Sequence, residues 1–309
     1  AEGEKNKALH AIQEVISMGL ANPILICRRS EIEEKIKKLG LRLTAGVDFE
    51  IVDNEDNPRY EECWKHYYEL TKRKGITPAI AKRVVRSNTT VLASTLLSLG
   101  YADALVCGLF GSYGKHLASI RDIIGLKDGV KTAAALNSLV LPTGNVFLTD
   151  THVNSNPTAE ELAEITLMAA EEIHRFGIEP AVALLSHSNF GSSDSLGAPK
   201  MREVLQIVKE RNPHLMIDGE MRGDLAMNEA HRKELMPDSP LKGSANLLVF
   251  PDLSASRISY SLLRSTTTAI TVGPILMGMN KSAHILNPGA SVRRIINMIA
   301  YAAVKAQQE

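Results

Sequence analysis

Residues 145–188 read NVFLTDTHVNSNPTAEELAEITLMAAEEIHRFGIEPAVALLSHS, and this stretch sets the fold class. It opens on a short β-rich apolar run. Pro157 and Thr158 then precede early glutamates, apolar residues recur at helical period, and Gly177 stops the helix before a second apolar run begins at Ala181. Strand, helix and strand in that order imply parallel strands joined by a crossover helix. The alternation extends both ways. Upstream lie helix 5–18, strand NPILIC, helix 30–39, strand DFEIVD, helices over 58–72 and 77–99 (the second broken near Ser87 and Asn88), strand ALVCGLF and helix 115–125. Downstream lie APKMREVLQIVKER, LMIDGE, a helix over 222–235, NLLVFPD and a helix through SRISYSLLR. The expected class is α/β, with a second lobe spanning about 129–273.

The chain has 309 residues, 44% hydrophobic and 23% charged, with a mean hydropathy of -0.05, which is enough apolar side chain for a large core. Lys+Arg and Asp+Glu both total 35, so no chain-wide basic footprint points to nucleic acid. The apolar runs fall short of the roughly 20 residues a membrane helix needs, and no membrane partner is expected. Cys27, Cys63 and Cys107 are odd in number, widely spaced and without a CxxC, which fits buried thiols in a reducing cytoplasm. The first residues form a helical pattern with neither an initiator Met nor a signal sequence, so a segment of a longer chain is expected. The last helix, ASVRRIINMIAYAAVKAQ, is apolar nearly all round and must be buried on two sides, by its own core or by a second subunit.

Few patterns carry chemistry. The nine histidines include no HExxH, and Asp150 with His152 is a poor metal nucleus, so no metal site is expected. There is no GxSxG, and Ser186, His187 and Ser188, read as part of a strand, would point to alternate faces. Gly108, Gly111 and Gly114 lie between a strand and a helix, with Lys115 after them; a phosphate cradle and a plain tight turn both fit. The loop SHSNFGSSDS follows a strand end, where open α/β sheets bind ligands, although a mobile surface loop has the same composition. The strongest charge pattern runs from residue 70 to 102. It holds Lys72, Arg73, Lys74, Lys82, Arg83 and Arg86 and no Asp or Glu. Lys82, Arg83 and Arg86 share one side of a helix, so they can converge on a polyphosphate or form a solvated face.

Along nearly its whole length the chain resembles the phosphate acetyltransferase family. The segments that carry the resemblance are YYELTKRKGIT, DTHVNSNPTAEELAEI, ALLSHSNFGSS, IDGEMRGDLAM, SPLKGSANLLVFPDL, GPILMGMNK and NPGASVRRIINMIAYAA. More closely it resembles the carboxy-terminal domain of bacterial hybrid NADP-dependent malic enzymes, in which a malic enzyme is fused to a domain of this family. The resemblance implies an isocitrate- or isopropylmalate-dehydrogenase-like pair of α/β lobes with a central cleft, residues 1–128 plus 274–309 forming the first lobe and 129–273 the second, and a reaction passing an acetyl group between acetyl phosphate and coenzyme A. It also implies arginines for the phosphate, a carboxylate near the thiol and an orienting serine.

This sequence departs from the family pattern at those positions. Thr71 and Ala118 stand where the family has arginines; Asn287 and Pro288 replace its Ser-Arg, and Arg294 falls on its aspartate. Ser256, Arg257 and Ser261 replace a glycine, an asparagine and a lysine in PDLSASRISYS. One lost base or electrostatic donor costs about 10² or more in rate, so no catalytic residues are expected. The expectation is an inactive regulatory and oligomerising domain with acetyl-CoA as effector, probed first at Lys72, Arg73, Lys74, Lys82, Arg83 and Arg86, then at Ser188, Asn189, Arg257 and Tyr260. The resemblance implies a malic enzyme domain in cis, with NADP and magnesium or manganese belonging to that part and no cofactor in this one. An active phosphate acetyltransferase is the alternative.

Overall fold

Side-chain caps mark the starts of several helices. In the computed structural model, which describes residues 1–195 and 197–308, the chain forms two units, Ala1–Asp128 with the segment from Met279 onward, and Gly129–Gly278. The first unit begins with α1 (Asn6–Ser17), β1 (Ile24–Ile26), α2 (Arg29–Leu39) and β2 (Glu50–Val52). It continues through α3 (Tyr60–Thr71), a 3-10 turn at Lys72–Lys74, α4 (Pro78–Ser87), α5 (Thr89–Ser98), β3 (Ala104–Cys107) and α6 (Tyr113–Ile123). The break between α4 and α5 has a clear cause. Asn88 leaves the helical region, and its Oδ1 accepts from the Thr90 and Val91 amides, capping α5.

The second unit contains β4 (Ala134–Leu141), β5 (Gly144–Thr149), α7 (Ala159–Arg175), β6 (Ala181–Leu185), α8 (Ala198–Arg211) and β7 (Met216–Met221). It ends with α9 (Gly223–Met227), α10 (Glu229–Leu235), β8 (Leu247–Val249), α11 (Leu253–Thr266) and β9 (Ile270–Met277). Thr158 and Glu161 form a reciprocal capping box at the start of α7. The helix expected over 222–235 is two helices, because the Asn228 side chain caps α10 and ends α9.

The sheet of the second unit is mixed, in the order β7-β6-β8-β5-β4-β9, and this corrects the all-parallel expectation. β4 pairs antiparallel with both β5 and β9. The strand β4 was hidden by an alanine run buried on both faces, which shows no alternation. The strand β9 carries Gly273-Pro274, a pair that argues against a strand. Gly273 has φ +122, and a Cβ there would meet the Leu136 carbonyl oxygen and Asn137 Oδ1 at 2.8 Å. Because β9 runs to Met277, the chain leaves this unit after Gly278, later than residue 273.

The first unit closes with β10 (Ser282–Ile285), parallel to β3, and α12 (Val292–Ala306). α12 packs against α1 on one side and against β3 and β10 on the other, which accounts for the burial of Ile295, Met298 and Ala302 without a second subunit. All three cysteines are buried, and burial pushes the Cys27 and Cys107 thiols up to about 12 and Cys63 up to about 11. We expect the folded protein to leave its thiols unlabelled by a disulfide reagent at pH 8 and to label all of them in denaturant. Rapid labelling of the native chain would show that this packing is wrong.

Candidate functional site

At the carboxyl end of β3 the chain turns back over its own backbone. Gly108 has φ +94, and a Cβ on it would lie 2.4 Å from the Leu286 carbonyl oxygen, so the loop after β3 presses against the end of β10 as only glycine allows. The amides exposed by this turn are occupied internally. Glu2, 5% exposed, accepts from the Gly108 amide at 3.0 Å and the Leu109 amide at 2.9 Å. His116 closes the loop, its Nε2 lying 2.6 Å from the Phe110 carbonyl oxygen and its Nδ1 2.8 Å from Thr90 Oγ1. A carbonyl only accepts, so Nε2 carries a proton. The Gly108–Gly114 loop is therefore an anion cradle, but a carboxylate of the same chain fills it; Lys115 is exposed beside it.

Five of the positions that differ from the family pattern, Thr71, Ala118, Asn287, Pro288 and Arg294, fall in this unit. Thr71 is 1% exposed and donates to the Tyr67 carbonyl at 2.7 Å, closing α3. Ala118 is exposed on α6 and offers no charge. Asn287 is half-buried and Pro288 exposed in the loop after β10, and Arg294 is buried in the first turn of α12.

The basic cluster separates into two groups, and its lack of countercharge is a property of the local sequence only. Lys72 pairs with Glu69 from α3 and Lys74 with Asp122 from α6; Arg73 is exposed. Lys82, Arg83 and Arg86 line one shallow groove with Tyr60, Trp64 and Glu61. Lys82 Nζ lies 4.5 Å from the Trp64 ring centre, Arg86 Cζ lies 4.6 Å from the Tyr60 ring centre, and Tyr60 Oη donates to the Lys82 carbonyl. Sequence spacing placed the three cations together. It gave no sign of the two aromatic rings, which come from a different helix.

In the second unit the polar loop after β6 is built around Glu220, a residue the sequence patterns passed over. Glu220 is fully buried, and its Oε1 accepts from Ser188 Oγ at 3.3 Å, the Gly191 amide at 3.0 Å and Arg202 Nη1 at 3.2 Å. Its Oε2 is buried without a hydrogen-bond partner. A glutamate inside the apolar strand LMIDGEM was the available signal. Asn189 Oδ1 accepts from the Arg222 amide at 2.9 Å. Ser186 and His187 follow the end of β6 and do not alternate as strand neighbours; their Oγ and Nδ1 lie 3.3 Å apart, but His187 Nε2 faces the hydroxyls of Ser193 and Ser195, not a carboxylate.

Asp150 is likewise consumed by structure. It accepts from the backbone of Ala135, His152, Val153 and Asn154, while burial pushes its carboxyl up against those bonds. Ser256 donates to the Asp150 carbonyl. Arg257 is exposed on α11, whereas Tyr260, 6% exposed, packs in the apolar core with Leu225 and Phe250. Among the described residues no group of three or more His, Cys, Asp or Glu side chains could hold a metal ion.

Comparison with known proteins places these features in a family. A profile described as phosphate acetyl/butaryl transferase matches residues 1–303. A relative from Haemophilus influenzae, described as NADP-dependent malic enzyme, is 98% identical over all of this chain and 41% of that protein, so the chain spans about two fifths of that curated relative. A phosphate acetyltransferase from Clostridium acetobutylicum is 34% identical over 100% of this chain and 93% of that protein. The crystal structure of a phosphotransacetylase from Streptococcus pyogenes matches with a TM-score of 0.91 and 29% identity, covering 100% of this chain and 93% of that one.

The Glu2 geometry has a measurable consequence. Each hydrogen bond to a charged acceptor contributes about 1.5 to 3 kcal/mol, so losing the two in Glu2→Ala should lower unfolding stability by roughly 3 to 6 kcal/mol, and Glu2→Gln by less. An unfolding free energy from urea titration within about 0.5 kcal/mol of the parent for Glu2→Ala would contradict the cradle.

Proposed function

The chain belongs to the phosphate acetyl/butaryl transferase family, and from that premise we propose that it is an inactive member: a regulatory and oligomerising domain that binds acetyl-CoA and controls an NADP-dependent malic enzyme in the same polypeptide. The observation that carries the ligand reading is the groove of Lys82, Arg83 and Arg86 beside Tyr60 and Trp64. Coenzyme A offers a 3'-phosphate and a pyrophosphate to the cations and an adenine face to the rings. Two or three charge-assisted hydrogen bonds at about 1.5 to 3 kcal/mol each, with one stacked ring, reach the roughly 8 kcal/mol of micromolar affinity. The ion pairs of Lys72 and Lys74 lie at the surface, where such pairs add little to stability, so these lysines can turn to a ligand at little cost.

Loss of transferase activity is supported by the residues at the family's functional positions. Thr71, Ala118, Asn287 and Pro288 carry no charge, and Arg294 has the sign opposite to the family's aspartate. The 98% identical relative supports the link to a malic enzyme, and we place NADP and magnesium or manganese in the malic enzyme part and no cofactor in this one. Inhibition is the sign we propose, since acetyl-CoA forms just downstream of pyruvate. We also propose an isocitrate- or isopropylmalate-dehydrogenase-like class for the fold and a cytoplasmic location; the buried free thiols support the latter, and no helix of the described residues is long and apolar enough to cross a membrane.

Calorimetry with acetyl-CoA and a coupled assay with acetyl phosphate and CoA test the core of this proposal together. We expect micromolar binding, weakened at least about tenfold by Arg83→Glu or Arg86→Glu, and no turnover above background. Robust acetyl phosphate chemistry would instead make the chain a working phosphate acetyltransferase. For self-association, exposed Val304 and half-buried Ile296, Ala300 and Ala303 leave an apolar strip on α12, and we expect a dimer through this domain with higher order in the longer protein. A monomer by sedimentation at micromolar concentration would remove the oligomerising role.

A further inference from the structure

Two contacts between a cation and an aromatic ring lie side by side between α3 and α4, at matching spacing. Tyr60 and Trp64 stand four residues apart on α3, and Lys82 and Arg86 four residues apart on α4. Lys82 Nζ lies 4.5 Å from the Trp64 ring centre and Arg86 Cζ 4.6 Å from the Tyr60 ring centre, so the groove carries two rungs about one helical turn, or roughly 6 Å, apart. Arg83 lines the same groove. Among the described residues Glu61 is the groove's one carboxylate. It pairs with Lys65 at 2.7 Å, and Lys65 first, then Lys82, holds its carboxyl below the usual range, so its charge is spent mainly outside the groove.

The two rungs differ in stiffness. Tyr60 is anchored, since its Oη donates to the Lys82 carbonyl at 2.9 Å. The cations over Trp64 are lysines, Lys82 and, at 6.0 Å, Lys65, and a flexible four-carbon stem lets Lys82 swing off the ring. Trp64 is therefore the ring a base can take. Arg86 is a planar fork braced on an anchored ring, which suits a terminal phosphate held by two parallel hydrogen bonds. Charges one turn apart match a ribose phosphorylated on its 3' and 5' oxygens better than a pyrophosphate, whose phosphorus atoms share one bridging oxygen. Nothing in the lining suits an acyl chain. Beyond the rings, the cations and Glu61, the groove is walled by Ala79 and Ser87, so a pantetheine arm finds one methyl group and no apolar wall.

We propose that the groove reads the adenosine 3',5'-bisphosphate end of coenzyme A and not its acyl group. The base stacks on Trp64, the 3'-phosphate sits on Arg86, Lys82 and Arg83 take the 5' side, and the thioester lies outside. This rests on the acetyl-CoA reading and sets its specificity. Acetyl-CoA, free CoA and longer acyl-CoA thioesters are then equivalent ligands, and dephospho-CoA is a poor one. The domain reports the coenzyme A pool, whatever acyl group it carries.

Calorimetry and Trp64 emission on the 309-residue chain test this with acetyl-CoA, CoA, dephospho-CoA and adenosine 3',5'-bisphosphate, each titrated alone and the last also against bound acetyl-CoA. Acetyl-CoA and CoA should bind within about twofold of each other, the bisphosphate should displace acetyl-CoA, and dephospho-CoA should bind at least about tenfold more weakly, the loss of one charge-assisted hydrogen bond. Arg86→Gln, with its circular dichroism unchanged, should remove most of the difference between CoA and dephospho-CoA. Dephospho-CoA binding as tightly as CoA, or CoA binding at least about tenfold more weakly than acetyl-CoA, would overturn this inference while leaving acetyl-CoA in the groove. An Arg86→Gln chain that loses both ligands equally would overturn the assignment of the 3'-phosphate to Arg86. If acetyl-CoA does not bind, the acetyl-CoA reading fails; the bisphosphate alone, changing Trp64 emission, would then uphold the nucleotide site, and no binding of either would overturn both.

Discussion

A backbone amide turned inward at the end of a strand must find an acceptor, and this chain meets that requirement with buried carboxylates. Glu2 serves the Gly108 and Leu109 amides, Asp150 serves four amides around β4 and β5, and Glu220 serves Gly191 together with Ser188 and Arg202. Each fixes a loop at the carboxyl end of a strand, the edge where α/β sheets place their ligands. An unmet buried amide costs about 1 to 3 kcal/mol, so these three side chains hold the loop geometry on which the rest of each unit depends. They also close the loops. The amides that could cradle a phosphate after β3 already carry a negative partner from the same chain.

How much of this was legible follows from the physics of each signal. Helix ends were legible where a side chain caps them: the break at Asn88 and the start of α7 at Thr158 are local hydrogen bonds written in adjacent residues. The strands β4 and β9 were not, because an alanine run buried on both faces lacks alternation and a Gly-Pro pair reads as a turn. Charge spacing on α4 located Lys82, Arg83 and Arg86. It was blind to Asp122 on α6 and to Trp64 and Tyr60 on α3, since those partners come together only through tertiary packing.

The family frame and the site chemistry point in different directions. The frame is that of the phosphate acetyl/butaryl transferases over residues 1–303, yet Thr71 closes a helix and Arg294 sits buried at the start of another, in roles that need no substrate. What remains suited to a polyphosphate is the groove between α3 and α4, where cations and aromatic rings stand together at the surface. A domain that has exchanged turnover for recognition would show this distribution, with its strand-end loops closed and its binding chemistry moved to a helical face.

The chain has a single tryptophan, and it lies in that groove. Titrating acetyl-CoA while following Trp64 emission therefore reads the central claim at the site itself. Binding in this groove gives a saturable change in emission at micromolar acetyl-CoA, as the ligand displaces Lys82 from the ring. Saturable binding by calorimetry with no change in Trp64 emission would contradict it and move the ligand elsewhere in the molecule.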